Sequence, residues 1–530
     1  MSPANRPTWK SGQSPEGATR ELNHFADAHP DWFLSPDGHI PLELNRREFD
    51  FSMAHGRLIF SSWTEQGSRN WHISDWQISG DKLVLRASRR MGAEVATIEL
   101  APRASAKALV ASIAAARQAR CEQLAQLVAQ SSVLDSPADS QSVKSGPPVK
   151  IERATLSPGM RRDQPGRYAR IILRLAQQRL AVTATVAQSD PRNIDSLFSS
   201  ALLWFARLTS SPKRPHLSRL LIVVERNILE AARARYVLLR DSVRQRIELL
   251  QIDDAWQEVE SAGVWERKYL WRKRLPRFPP VIEAIASNRA AEIAAAAPQA
   301  IDVVAVRHGA TLRYHGLAFA RVRRVMERDY VWFGVEGSPR RLLGEYQQRE
   351  FAKLLTDLQT HRSDQGRNRR HWFYRAAGEA WLESILRRDI TRLDTGLMVA
   401  PVHAQFRTSP GGPAGSRPID LLALRQDGRL VVIELKVNED REHVFQGVDY
   451  WRRVEAHRRR GHLSSARLFG DREISDESPL VYLVAPTLRF HPSFATLASA
   501  IAPDIEMYRF DINEDWRAGV RVVRRQRINA

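Results

Sequence analysis

Two hydrophobic periods alternate along this chain, and the places where one gives way to the other divide it. From Trp32 to Pro102, segments such as KLVLRAS and EVATIEL alternate apolar with polar residues, the pattern of strands with one buried face. Turn signals such as Ser79-Gly80-Asp81 punctuate them. The polar stretch before Arg20 predicts disorder. Ser105 opens AKALVASIAAARQARCEQLAQLVAQ, which predicts a helix. Residues 131–149, SSVLDSPADSQSVKSGPPV, are rich in Ser and Pro and predict a linker. Residues 1–130 are therefore read as one α+β domain.

The block 150–255 predicts strand (YARIILRLA), strand (RLAVTATVA), helix (NIDSLFSSALLWFARL), strand (SRLLIVVE), helix (NILEAARARYVLLRDSVRQR) and strand (IELLQID). The block 371–530 repeats that order: strand RLVVIELKV, helix HVFQGVDYWRRVEAHR, strand PLVYLVAP, helix FATLASAI, strand IEMYRFD. The middle block is either a degenerate copy of the last or a sheet domain that shares only the common alternating order. Residues 256–370 read as a basic, mainly helical stretch to residue 300 and then a β-meander (IDVVAVR, ATLRYHG, LAFARVRR, DYVWFGVE). The helix RRLLGEYQQREFAKLLTDLQTH and the polar hinge RSDQGRNRR follow. The alternation predicts the α/β class within a multidomain α+β chain.

Composition adds a partner. Across 530 residues, Lys+Arg number 80 and Asp+Glu 60, a net charge of +20. A pI near 10.6 suits a polyanion, nucleic acid or an anionic surface. VWERKYLWRKRLPRF interleaves cations with Trp265, Tyr269, Trp271 and Phe278. That suits either a nucleic-acid surface or a helix packing its aromatics inward. The single cysteine, Cys121, excludes an internal disulfide and a Cys-based zinc site, in keeping with a reducing cytoplasm. The polar start lacks a signal peptide's apolar segment, and no stretch reaches the roughly 20 apolar residues of a membrane helix. Cytoplasmic localisation and no membrane association are expected. Walker A, GxGxxG and Gly-x-Ser-x-Gly motifs are absent; Pro410 to Gly415 reads as a connecting loop.

The chemistry concentrates in RPIDLLALRQDGRLVVIELKVNED. Leu421 to Leu424 and Leu430 to Leu435 are apolar, strand-like runs joined at Asp427-Gly428, a hairpin signal. Antiparallel pairing brings Asp420, at the start of one strand, to Glu434 and Lys436, at the end of the other. Glu434 and Lys436 are two apart and share a face. Two carboxylates at one sheet end make a hard-oxygen site suited to Mg²⁺, or Mn²⁺. A lysine beside them can hold an attacking water and add positive charge to a transition state.

These residues resemble the motif of the PD-(D/E)xK nuclease superfamily, over residues 371–530. The resemblance implies a C-terminal restriction-endonuclease-like α/β sandwich with a central mixed sheet. It implies Asp420 and Glu434 as catalytic metal ligands, the Leu435 carbonyl as a further ligand and Lys436 as the catalytic lysine. In HWFYRAAGEAWLESILRRDI it offers Glu379 and Glu383 as the helical acid, one turn apart. Glu379 is favoured because Gly-Glu-x-x-Leu resembles the resolvase helix. Gln446 and Tyr450, at i and i+4 in HVFQGVDYWRRVEAH, match the Gln and Tyr of RecB-type members. With Arg417 they are the expected substrate-binding residues. The name-giving proline sits one place early, at Pro418, with Ile419 before Asp420. The middle block has VTAT where the last has IELK, so it could not hold a metal.

The expectation is a Mg²⁺-dependent endonuclease hydrolysing DNA phosphodiester bonds, in DNA repair or in defence against foreign DNA. A protein partner or a homo-oligomer is left open. A non-catalytic DNA-binding or scaffold protein and an RNA-directed nuclease are the alternatives.

Overall fold

The computed structural model describes residues 15–36, 42–54, 57–64, 67–89, 94–103, 107–134, 149–159, 165–187, 191–210, 217–272, 275, 287–306, 309–325, 328–335, 340–366, 368–408 and 417–530. The chain is mixed α/β, with four sheets. A seven-stranded antiparallel sheet spans residues 31–102. The helix Pro15–Ala26 packs on it through Ala18, Leu22 and Ala26, so the expected disorder before Arg20 does not extend to residues 15–20. The apolar spacing 18, 22, 26 is one helical face.

Two six-stranded sheets carry the argument. The first is built from α1 (Lys107–Gln130), β1 (Lys150–Leu156), β2 (Tyr168–Leu175), β3 (Gln178–Thr185), α2 (Ile194–Thr209), β4 (Leu217–Glu225), α3 (Leu229–Tyr236), β5 (Ile247–Ile252) and β6 (Val259–Ser261). The second is built from α4 (Gly378–Arg388), β7 (His403–Phe406), β8 (Ile419–Leu424), β9 (Leu430–Leu435), α5 (His443–Arg458), β10 (Leu480–Pro486), α6 (Phe494–Ala498), β11 (Met507–Ile512) and β12 (Val522–Arg527). Strand order is sequential in both. In both, the first three strands pair antiparallel, the third, fourth and fifth pair parallel, and the last is antiparallel. Each fourth strand leads through a short 3₁₀ turn into its helix. An antiparallel sheet precedes each: the seven strands before the first, a five-stranded meander over residues 301–342 before the second. The chain therefore consists of two halves with the same order of parts.

Two boundaries move as a result. Helix α1, expected in the N-terminal domain, instead packs its buried face (Cys121, Leu124, Ala125, Val128) on Ala169, Ile171 and Val182 of the first six-stranded sheet. That sheet also runs past residue 255, to β6. Between residues 256 and 300 the mainly helical expectation fails: the described residues hold β6, a 3₁₀ turn (Arg267–Trp271) and one helix (Asn288–Ala295). Trp265, Leu270 and Trp271 pack against the core shared by the halves. Arg233 and Arg459 lie over the Trp265 and Trp271 rings at 4.8 and 4.9 Å. These two tryptophans are spent on the protein's own packing. Phe278, the Pro410–Gly415 loop and most of the 131–149 linker lie outside the described residues.

The halves meet across helices α2, α5 and α6, which bury one continuous core. Phe198 and Phe445 touch with ring centroids 5.9 Å apart. Leu239, three residues past α3, forms an antiparallel bridge with Ile501, three residues past α6. An antiparallel bridge between corresponding residues is what a two-fold axis produces. Inside this interface Arg235 reaches Asp195 at 2.8 Å and Asp449 of the other half at 2.7 Å.

Helix α4 is held at both ends of its approach. The expected single helix 371–390 breaks at Ala376–Ala377, where Ala377 has φ 45°, into Trp372–Arg375 and α4. Gly316, at φ +80° in the meander, lies so close that a Cβ would sit 2.0 Å from the Ala380 carbonyl oxygen. The fully buried Arg362 donates to the carbonyls of Tyr314, His315, Phe373, Ala376 and Ala377 at 2.7–3.3 Å. It ties the meander to the break before α4. Arg362→Met should strand these carbonyls and cost about 3–5 kcal/mol. A denaturant melt of the full chain that moves by less than about 1 kcal/mol would refute this tie.

Candidate active site

The hairpin β8–β9 sets the geometry. Leu421 pairs with Ile433, so the next residues outward, Asp420 and Glu434, face each other at the sheet end. The Leu435 amide donates to Asp420 Oδ2 at 2.9 Å. Lys436 Nζ lies 2.8 Å from Glu434 Oε1, 3.6 Å from Asp440 and 3.8 Å from Glu379. Asp420, Glu434 and Lys436 are thus brought together.

Both helical acids reach this cluster by different routes. Glu379, in the first turn of α4, is 44% exposed and faces Lys436. Gly378 allows that approach: a Cβ there would meet Val437 Cγ2 at 2.8 Å. Glu383 is buried and accepts from Gln405 Nε2 at 2.8 Å, and the same amide reaches Asp420 Oδ1 at 3.4 Å. Arg313 of the meander stands 3.8 Å from Glu383. Gln405 was missed in the sequence. It lies on β7 opposite Asp420 and holds φ 49°, a left-handed conformation that costs a non-glycine residue about 1 kcal/mol or more. The sequence signal that could have found it is weak: a polar residue in a four-residue edge strand, HAQF.

Gln446 and Tyr450 lie on the buried face of α5. The charges of Glu434 and Asp420, after burial, push the Tyr450 phenol well above its ordinary range, which sets it beside the acids. Gln446 Nε2 donates to Glu442 at 3.3 Å, and its Oε1 is buried without a donor. Both residues are almost fully enclosed, so the placement suits supports of the site rather than an open binding surface. Arg417 pairs with Glu442 at 3.5 Å and is partly exposed. His443 stacks on Phe490, and its Nε2 lies 3.3 Å from the Glu434 carbonyl.

Electrostatically the acids are frustrated. Burial first, then its neighbour's charge, raises Glu434 well above the carboxylate range; burial raises Asp420 to about 6. Burial alone would lower Lys436, but Glu434, Glu379, Asp420 and Asp440 outweigh it and hold its ammonium charged. Glu434 Oε2 is buried with no donor. Such a pair fits a divalent cation, which would neutralise the repulsion and use the orphaned oxygen. Among the described residues no group of three or more His, Cys, Asp or Glu is arranged to hold a metal. The side-chain donor set here is two carboxylates, and Mg²⁺ is commonly held by one or two carboxylates and several waters. The Leu435 side chain is buried in the core beneath α4, and its amide is engaged by Asp420.

No family model matches the chain, and neither does any curated protein or any solved structure. No helix among the described residues is long and apolar enough to cross a membrane.

A carboxyl whose folded pKa exceeds its unfolded value keeps its proton longer in the native state. Its contribution to stability is therefore greatest below the unfolded pKa and is lost as pH rises through the folded one, here from 3.8 to about 6 for Asp420. In metal-free buffer Asp420→Asn should raise the melting temperature at pH 8, by about 2 kcal/mol of stability, and leave it unchanged at pH 3. Equal melting of variant and wild type at pH 8 would show that the pair is not strained.

Proposed function

We propose that the chain is a metal-dependent endonuclease that hydrolyses DNA phosphodiester bonds, acting in DNA repair or in defence against foreign DNA. The observation that carries this reading is the register-fixed confrontation of Asp420 and Glu434 at one sheet end, with the Lys436 ammonium 2.8 Å from Glu434. Fold stability does not ask for it. In the first half the corresponding register places Arg170 opposite Thr183, and that sheet closes without the acids. A buried and a half-buried carboxylate face to face cost stability unless a ligand offsets them, and a phosphate-binding surface has no use for them without a cation.

Mg²⁺, when bound by Asp420 and Glu434, would neutralise charge on the phosphate and lower the pKa of a bound water. The chain's own residues do the positioning. Lys436 stays protonated, so it serves as a donor that orients water or a phosphate oxygen, not as a base. Glu379 lines the exposed side of the cluster, where water can enter. Glu383 acts on Asp420 through Gln405 and fixes its orientation. Tyr450 and Gln446 back the acids from α5. The net charge of +20 draws a polyanion to the surface.

Lys436→Ala should reduce Mg²⁺-dependent cleavage of single-stranded, duplex or branched DNA by about 10²-fold or more while leaving DNA binding in place. A chelator should abolish cleavage by the wild type. Binding without cleavage on every substrate, with Mg²⁺ or Mn²⁺, would defeat the enzyme and leave a DNA-binding protein. Glu379→Gln should slow turnover more than Glu383→Gln, whereas Glu383→Gln should cost more stability; the reverse order exchanges their roles.

A further inference from the structure

The first half carries a charge-inverted counterpart of the site. Continued register sets Asp420 against Glu434 in the second sheet; the first sheet sets Arg170 against Thr183. Thr185 stands where the second half has Lys436, two residues on. Arg170 lies on the same sheet face as Tyr168 and Ile172, which pack toward the interface between the halves. Its guanidinium is 5.7 Å from the Trp204 ring of α2, and its Nε is buried without a partner.

Other cations converge on it. Thr155 is the β1 partner of Arg170, and Arg153, two residues away on that strand, shares its face. Arg207 follows Trp204 by one turn of α2. Arg441 comes from the other half, in the loop between Lys436 and α5. That loop is fixed against α2 by the Ser199 hydroxyl, which donates to the Arg441 carbonyl at 3.2 Å. Burial, and then Arg207, Arg153 and Arg441 in that order, depress the Arg170 guanidinium. Arg153, Arg207 and Arg441 are exposed. Arg207, Arg153 and Arg441 thus all stand close enough to act on the Arg170 charge, and Arg441 lies five residues along the chain from Lys436.

We infer that Arg153, Arg170, Arg207 and Arg441 form a seat for the phosphodiester backbone of a nucleic-acid strand, and that the first half thereby holds the substrate of the second. The seat stands on its own geometry; the delivery of substrate rests on the nuclease reading. Arginine forks match phosphate oxygens bidentately, and the burial of Arg170 strengthens the field at the seat.

The test uses the full chain and a fluorescent 20-nucleotide single strand, titrated at several salt concentrations. Arg153→Gln/Arg207→Gln alters exposed residues, so folding should survive. It should weaken binding about tenfold and flatten the slope of log affinity against log salt by about 1.4, the loss of two contacts on a single strand. Removing the same two charges at the exposed Arg47 and Arg57, in a 3₁₀ turn and a strand of the N-terminal region, should do neither. Equal losses in both double variants would overturn the seat, because bulk charge would then explain binding. Protection of the wild type by inorganic phosphate with no effect of the variants on the oligonucleotide would overturn the nucleic-acid assignment. If no cleavage is ever seen but the selective loss of affinity is, the seat stands and only the nuclease reading fails. If cleavage is seen and the Arg153/Arg207 variant cleaves like wild type at limiting substrate, the delivery role is overturned.

Discussion

Two carboxyl groups facing each other at a buried sheet end cannot both be charged unless something positive stands between them. That constraint organises the C-terminal half. The Leu435 amide and Gln405 engage Asp420, and Lys436 engages Glu434, but one Glu434 oxygen is left without a donor. The surroundings do not let the acids move apart. Their strands are locked by Leu421 and Ile433, Tyr450 closes one side, and α4 closes the other. The Arg362 carbonyl cluster and Gly316 fix α4 in turn, so the meander contributes to the position of the acids without touching them.

The halves are tied together by a core to which both contribute. Each six-stranded sheet covers one face with its own helix, α1 or α4, and gives the other face to a core that both halves share. Arg235 would be a buried, half-paired cation without Asp449, and Asp449 also holds Arg452 and Arg453 of its own helix. The arrangement resembles a homodimer written into one chain, with the facing acids in one half only among the described residues. On the nuclease reading, one chain cuts one strand per encounter.

The central parts were legible because their signals are local. Helix α5 runs over the residues that the pattern marked, His443–Arg458, and the hairpin around Asp427-Gly428 has the expected register. The hairpin combines two apolar runs with a turn whose backbone needs few residue types. What escaped was set by tertiary contacts. Strand β12, VVRRQR, is an exposed edge whose charges hide its period. Strand β7 is four half-buried residues, so Gln405 gave no warning. The membership of α1 was hidden because a helix's partner is decided by which sheet face is free, not by which domain precedes it. The break before α4 has no proline; it follows from Arg362 capturing carbonyls that a continuous helix would have used itself.

The loop from Val437 to Glu442 joins these levels. It begins just after Lys436, places Asp440 3.6 Å from that lysine, anchors its Arg441 carbonyl on α2 of the other half, and ends with Glu442 paired to Arg417 and Gln446. Helix α2 is itself pinned across the interface by Asp195, Arg235 and Asp449. A shift in the docking of the halves therefore moves this loop before it moves any strand, since the strands are fixed by their own ladders while the loop is fixed by side chains from both sides. The acidic cluster and the arginine cluster are consequently positioned by the same interface, and the distance between them is set by how the halves pack rather than by either sheet alone.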